Sequence, residues 1–136
     1  MSTTQGCLGE HIFITECIKR NIQINQPIND IFGYDFVIKT PMGYKSIQVK
    51  TTLKADMRYP DKPSYKIQVR KGANSEAYKR SDFDYLAAYI ISLDIWYIIP
   101  FKELNKTTIR VNPESSKCKY APYKMRFDLI GGVTHP

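Results

Sequence analysis

The chain has 136 residues, a mass of 15.8 kDa and a net charge of +7, so we expect residues 1–136 to form a single domain with a basic surface. Hydrophobic residues make up 43% of the chain and charged residues 24%, a balance that is typical of globular proteins and not of disordered or fibrous ones. The longest apolar run, residues 85–93, is shorter than the roughly 20 residues of a membrane span, and the first residues have no signal-peptide pattern, so we expect a cytoplasmic protein without a membrane partner.

The first half of the chain predicts a helix followed by a β-hairpin. Apolar residues between positions 6 and 20 mostly recur at helical spacing, which indicates an amphipathic helix. Residues 22–24 alternate like a short strand. Residues 34–39 and 44–51 are separated by a Pro-Met-Gly turn sequence, and together they predict the two strands of a hairpin.

The second half predicts further strands. Residues 65–70 alternate between apolar and polar, and residues 84–92 and 95–99 are β-rich apolar runs typical of buried strands. Residues 107–111 predict one more short strand, whereas the pattern of residues 113–136 indicates no particular element. We therefore predict a mixed α/β domain in which a helix is followed by several strands of one sheet.

The excess positive charge is concentrated between Lys45 and Arg80. Ten basic and three acidic residues lie in this window, a net charge of +7, whereas the remaining 100 residues are neutral overall. Such a segment attracts a polyanion, because contacts to phosphates release counterions. The ordinary alternative is a solvated basic loop that only keeps the protein soluble. The residues that we predict to follow a DNA backbone are Lys54, Arg58, Lys62, Lys66, Arg70, Lys71, Lys79 and Arg80.

Four polar residues are candidates for chemistry. Asp35 opens the first hairpin strand, and Gln48 and Lys50 are two residues apart on the second, so their side chains point to the same face. Glu10 lies on the predicted helix, which could pack across the hairpin. Each residue also has an ordinary explanation: a turn cap for Asp35, a solvated sheet face for Gln48 and Lys50, and a surface ion pair for Glu10.

Together, the order Glu, Asp and Gln-x-Lys resembles the PD-(D/E)XK nuclease superfamily, and most of all its small intron-encoded homing endonucleases with a Gln-x-Lys motif. The resemblance spans roughly residues 6–104. It implies a restriction-endonuclease-like αβββαβ core, a mixed β-sheet flanked by helices. The stretches that match are residues 9–10, 34–38 and 47–52, and the distal strands of the small members are similar to residues 82–87 and 96–100.

The resemblance also implies a reaction and a role for each residue. The activity would be site-specific hydrolysis of double-stranded DNA, leaving a 5′-phosphate and a 3′-hydroxyl. Asp35, Gln48 and Glu10 would bind Mg²⁺ as the cofactor. Lys50 would orient or activate the attacking water. Because one small module covers only about 1,000 Å² of a DNA interface, we expect a homodimer or homotetramer.

The sequence departs from the family pattern at two positions. Gln48 stands where the family has Asp or Glu, and Tyr34 stands where it has Pro. An amide oxygen can coordinate a hard cation but brings no charge, so Gln48 favours, as an alternative, a non-catalytic DNA-binding protein on a nuclease scaffold. A structure-specific endonuclease like the Holliday-junction resolvases is an alternative on the same fold. A third alternative is a basic α/β domain whose partners are proteins.

Overall fold

A mixed five-stranded sheet with one helix on its face organises the fold. The computed structural model describes residues 3–29, 31–58, 63–71, 76–104 and 107–131. Its elements are α1 (Thr3–Lys19), β1 (Gln23–Asn25), β2 (Phe36–Thr40), β3 (Gly43–Thr52), β4 (Tyr65–Gln68), β5 (Arg70–Lys71), β6 (Glu76–Ala77), β7 (Tyr85–Ile90), β8 (Ile95–Pro100) and β9 (Thr108–Val111).

The strand order in the main sheet is β1-β2-β3-β7-β8, which makes β3 the central strand. β3 pairs antiparallel with β2 and parallel with β7, so that Ile47 lies between Phe36 on one side and Tyr85 on the other. The predicted helix, the predicted hairpin and the two buried strands β7 and β8 are all present. The predicted fold class, an α/β fold with a mixed sheet and a helix, is confirmed.

Helix α1 packs tightly on one face of this sheet. Phe13 is fully buried, and its ring lies 5.6 Å from that of Phe36 and 5.5 Å from that of Trp96. At Gly9 the helix approaches β3 so closely that a Cβ atom would lie 2.2 Å from Cγ2 of Thr51. Only glycine fits here without a shift of the helix, and this close approach fixes the position of the next residue, Glu10.

The opposite face is covered by a β-ribbon. β4 and β9 pair antiparallel with Ile67 opposite Ile109, and both side chains are buried against β7 and β8. The two strands were predicted as parts of one sheet, which is wrong, because they form their own ribbon. Within the described residues α1 is the only α-helix, and a β-ribbon, not a second helix, covers this face of the sheet. The alternation of apolar and polar residues in β4 and β9 explains why they cover a sheet as strands.

The segment after β9 contributes a few buried side chains, among them Phe127 and Ile130, to the core beneath α1. Two short 3₁₀ helices, Ala121–Tyr123 and Phe127–Ile130, lie in this segment, and Phe127 packs 6.3 Å from Phe13. The guanidinium of Arg20 lies 4.1 Å from the centre of the Phe127 ring. None of the helices in the described ranges has the length and apolar character needed to cross a membrane.

Candidate active site

Asp35 is oriented by the central strand. Its backbone N–H donates to the carbonyl of Ile47 at 2.8 Å, and its Oδ2 accepts from the Val49 N–H and from Nε2 of Gln48, both at 2.8 Å. No residue in the described ranges donates to Oδ1. Asp35 is therefore not a turn cap, because β3 holds one carboxylate oxygen and leaves the other available to a ligand.

Gln48 and Lys50 do not lie on a solvated sheet face. Gln48 is only 8% exposed, and its Nε2 also contacts the carbonyl of Val49 at 3.3 Å. Lys50 is half-buried, because the segment that contains β5 and Tyr78 covers this part of β3. The ordinary explanation of the alternation in β3 is therefore wrong at these two positions.

Lys50 is held by two groups that no sequence pattern pointed to. Its Nζ donates to the carbonyl of Arg70 at 3.1 Å and lies 5.4 Å from the centre of the Tyr78 ring. Burial lowers the pKa of Lys50, although the negative charge of Asp35 opposes this shift. Burial, together with the charges of Asp35 and Asp82, raises the pKa of Tyr78 to about 12. Tyr78 is thus a neutral phenol beside an ammonium group.

Glu10 and Asp35 line the same open cavity, whose volume is about 540 Å³. Tyr34 and residues 26–29 form the rest of its wall. Burial raises the pKa of the Glu10 carboxyl, the charge of Asp35 raises it further, and His11 opposes both effects. Burial also raises the pKa of Asp35, against the Val49 N–H and Lys50, which lower it. The structure therefore brings two mutually repelling carboxylates into one cavity, with Gln48 directly behind Asp35.

This donor set suits a small, hard cation. Carboxylate and amide oxygens are the ligands that Mg²⁺ prefers, and the ion commonly keeps several waters. A bound cation would also relieve the repulsion between Glu10 and Asp35. The described part of the chain contains no group of three His, Cys, Asp or Glu side chains arranged to hold a metal ion. Two carboxylates thus line the cavity, and the Gln48 amide is bonded to Asp35 behind it.

The predicted DNA-contacting residues are dispersed over the segment between β3 and β7, and several are paired with carboxylates. Lys71 and Asp82 form an ion pair of 3.1 Å, and Arg58 contacts Asp56 at 3.4 Å. Arg110, which the sequence analysis did not select, contacts Asp56 at 2.9 Å. Lys62 lies outside the described residues. Of the others, Lys54, Arg58, Lys66, Lys79 and Arg80 are exposed, and Arg70 and Lys71 are half-buried.

Comparisons with known proteins identify a family that matches the sequence and a solved structure with a similar fold. The chain matches the family described as PD-(D/E)XK endonuclease over residues 1–130, a range that includes all four candidate residues. A comparison with curated proteins finds no match. Among solved structures, that of a bacterial homing endonuclease, I-Ssp6803I, is similar with a TM-score of 0.79. The similarity covers 96% of this chain and 93% of that chain at 21% sequence identity, and it shows a shared fold.

Proposed function

The chain belongs to the PD-(D/E)XK endonuclease family, and from this membership we propose that it is a site-specific, Mg²⁺-dependent endonuclease of double-stranded DNA of the homing type. Its products would be a 5′-phosphate and a 3′-hydroxyl. The observation that carries the proposal is the cavity in which Glu10 and Asp35 meet, with Gln48 bonded to Asp35. The likeness to a homing endonuclease structure supports the type of enzyme.

Each residue of the site has a distinct task in this proposal. Glu10, Asp35 and Gln48 would hold Mg²⁺, which would supply charge stabilisation at the phosphate oxygens and make water a stronger nucleophile. Lys50 orients the attacking water and offsets negative charge on the scissile phosphate. The Arg70 carbonyl fixes the direction of the Lys50 ammonium by its hydrogen bond of 3.1 Å.

In this proposal the basic segment holds the DNA duplex beside the cavity, so that the scissile phosphate can reach it. We assign the phosphate contacts to the predicted residues of this segment, because phosphate contacts position a duplex without reading its sequence. One copy of so small a chain covers a short stretch of DNA, and the proposal therefore includes a homodimer or homotetramer. The residues concerned are Lys54, Arg58, Lys62, Lys66, Arg70, Lys71, Lys79 and Arg80.

Cleavage of a plasmid tests the activity, with the intron-insertion sequence and a four-way junction as further substrates for a plasmid that lacks the target. The wild-type protein is expected to nick or linearise a plasmid that carries the target with Mg²⁺ and not with EDTA. Asp35→Asn should abolish cleavage, whereas Asp128→Asn, the same change at an exposed carboxylate, should leave it intact. Cleavage that persists in Asp35→Asn would contradict the assigned site.

A non-catalytic DNA-binding protein is the second candidate, and Gln48 favours it. With one carboxylate fewer than the family pattern, the site has less charge to hold a cation. This alternative predicts DNA binding that Mg²⁺ does not change, and no cleavage of plasmid, insertion site or four-way junction. Cleavage of the junction in preference to a linear duplex would instead indicate the resolvase-like enzyme.

A further inference from the structure

A second cavity, of about 180 Å³, opens where β3 and β7 begin and β8 ends. Three basic side chains and one carboxylate line it, a net charge of +2. Among the residues that the structure describes, neither Lys45 nor Lys102 has an acidic partner. The side chains around the cavity are Lys45, Arg80, Asp84, Tyr85, Pro100, Phe101 and Lys102.

Hydrogen bonds orient Arg80 at this cavity, although its side chain is 65% exposed. Its Nη1 donates to Oδ1 of Asp84 at 2.9 Å and to the carbonyl of Phe83 at 3.2 Å, and its guanidinium lies 5.9 Å from the centre of the Phe101 ring. Asp84 is fixed in turn, because its Oδ2 accepts from the Ser46 N–H at 2.9 Å. Within the described ranges Nε and Nη2 of Arg80 donate to no other group. An oriented guanidinium with unused donors is suited to the oxygens of a phosphate.

The second cavity and the candidate active site lie along the same strand. The Ser46 N–H binds Asp84 and the Val49 N–H binds Asp35. These two nitrogens are three residues apart on β3, which is about 10 Å at roughly 3.3 Å per residue. About three base-pair steps of a duplex span the same length at 3.4 Å per step. The separation of the two sites along β3 is therefore within the length of one bound duplex, although Asp35 and Asp84 lie at opposite edges of this strand.

We propose that this second cavity binds a backbone phosphate of the DNA outside the cleavage site, with Lys45, Arg80 and Lys102 as its ligands. The inference rests on the proposed function and adds to it, since two of the three ligands lie outside the predicted set of contacts. Asp84 does not repel the phosphate strongly, because both of its oxygens are already paired with donors.

The salt dependence of DNA binding tests this assignment in the absence of divalent metal. The probe is a fluorescently labelled duplex of about 30 base pairs of arbitrary sequence, because contacts to phosphates do not depend on sequence. The wild-type protein is compared with Lys45→Gln/Lys102→Gln and with a control, Lys117→Gln/Lys119→Gln. Both double variants lose two positive charges, but the control lysines lie between β9 and the next 3₁₀ helix and are not among the residues that line the cavity.

The cavity variant is expected to reduce the slope of log affinity against log salt by about 0.9, because the cavity accounts for one phosphate contact and each such contact contributes about 0.9. The loss of affinity between roughly 50 and 200 mM salt then becomes about 3.5-fold smaller. The control should keep the wild-type slope. If Lys45→Gln/Lys102→Gln is less stable to heat than the wild-type protein, Lys102→Gln alone, at an exposed position, should also reduce the slope, by at most about 0.9.

Three outcomes would overturn this assignment, and they differ in what else they overturn. An unchanged slope in the cavity variant beside a steep slope in the wild-type protein refutes the phosphate site alone. Equal reductions in both double variants also refute it, because the effect would then be one of total charge. A wild-type protein whose DNA binding shows no salt dependence refutes the proposed function as well.

Discussion

At the scale of single residues, the amide of Gln48 separates this site from the family pattern. Gln48 can donate to Asp35, which an acidic residue could not do at neutral pH, and so the carboxylate of Asp35 is held without a cation. The same amide brings no charge to a metal site. We therefore expect Gln48 to stabilise the folded site and to lower the affinity for metal that the proposed function requires.

Replacement of Gln48 by glutamate should reverse this balance. We expect Gln48→Glu to lower the melting temperature in EDTA, because two carboxylates then face each other, and to raise the Mg²⁺ affinity about tenfold, or ~1.4 kcal/mol. Melting temperatures measured against Mg²⁺ concentration report both effects. Gln68→Glu, the same change at an exposed position of β4, is the control. Equal Mg²⁺ dependence in the two variants would contradict Gln48 as a ligand.

Lys50 should matter for cutting and little for binding. Its ammonium is half-buried and bonded to the Arg70 carbonyl, so it is poorly placed to hold a DNA backbone. We expect Lys50→Ala to slow cleavage about 10²–10³-fold with a nearly unchanged dissociation constant for DNA. Lys66→Ala, at an exposed position of β4, should weaken binding but cut normally at saturation. Lost DNA binding in a folded Lys50→Ala protein would contradict the catalytic role.

At the scale of elements, the close approach of α1 to β3 links stability to the site. Gly9→Ala should push the helix away from Thr51 and shift Glu10, and we expect a loss of about 1–3 kcal/mol in unfolding free energy together with slower cleavage. Denaturant unfolding and a cleavage time course measure the two effects.

Thr51→Ser provides a matched rescue for this prediction. It removes the Cγ2 methyl but keeps the hydroxyl that accepts a hydrogen bond of 3.1 Å from Gln5. The double variant Gly9→Ala/Thr51→Ser should recover most of the stability and cleavage, because the two changes are coupled through one contact. Additive losses would show that the contact between α1 and β3 is not the cause.

Asp84 joins the starts of β3 and β7 and should make stability depend on pH. Burial raises the pKa of Asp84, but the Ser46 N–H and Arg80 lower it by more, so the pKa lies below its ordinary value of 3.8. The stabilisation is therefore complete above about pH 4 and is lost as the pH falls through the lowered pKa. We expect Asp84→Asn to cost about 1–2 kcal/mol at neutral pH and much less near pH 3. Denaturant unfolding at both pH values checks this, and an equal cost at both would contradict it.

Strands with a clear hydrophobic period could be predicted from the sequence, but pairing between strands distant in the chain could not. β3, β7 and β8 follow from alternation and from apolar runs, and the hairpin of β2 and β3 from its turn. The pairing of β4 with β9 depends on docking across the sheet, which no local period encodes. Likewise, Asp35 and Gln48 were found through the resemblance, whereas Tyr78 lies in a connection without a pattern, and its contact with Lys50 exists only in the folded chain.

At the scale of the whole molecule, the small size of the chain bears on how it recognises DNA. A single module buries on the order of 1,000 Å² or less on a duplex, which is too little to read a long site. We therefore expect sedimentation at two or four times the chain mass of 15.8 kDa. Sedimentation of the single chain alone, both free and bound to DNA, would contradict the homing type of enzyme. A monomeric chain that still cuts would leave the family chemistry intact.

The parallel neighbour of β3 has a consequence for how the protein acquires its activity. β2 and β3 pair through a tight turn, but Ser46 and Asp84 meet across 38 residues of chain, so closure of this loop is slow and β7 docks late. During synthesis the hairpin with Asp35, Gln48 and Lys50 leaves the ribosome first, and the basic connection follows. We expect a nascent chain that ends before β7 to carry every catalytic group and yet to cut nothing. Docking of β7 would then complete the proposed cleavage site and the basic surface beside it in one step.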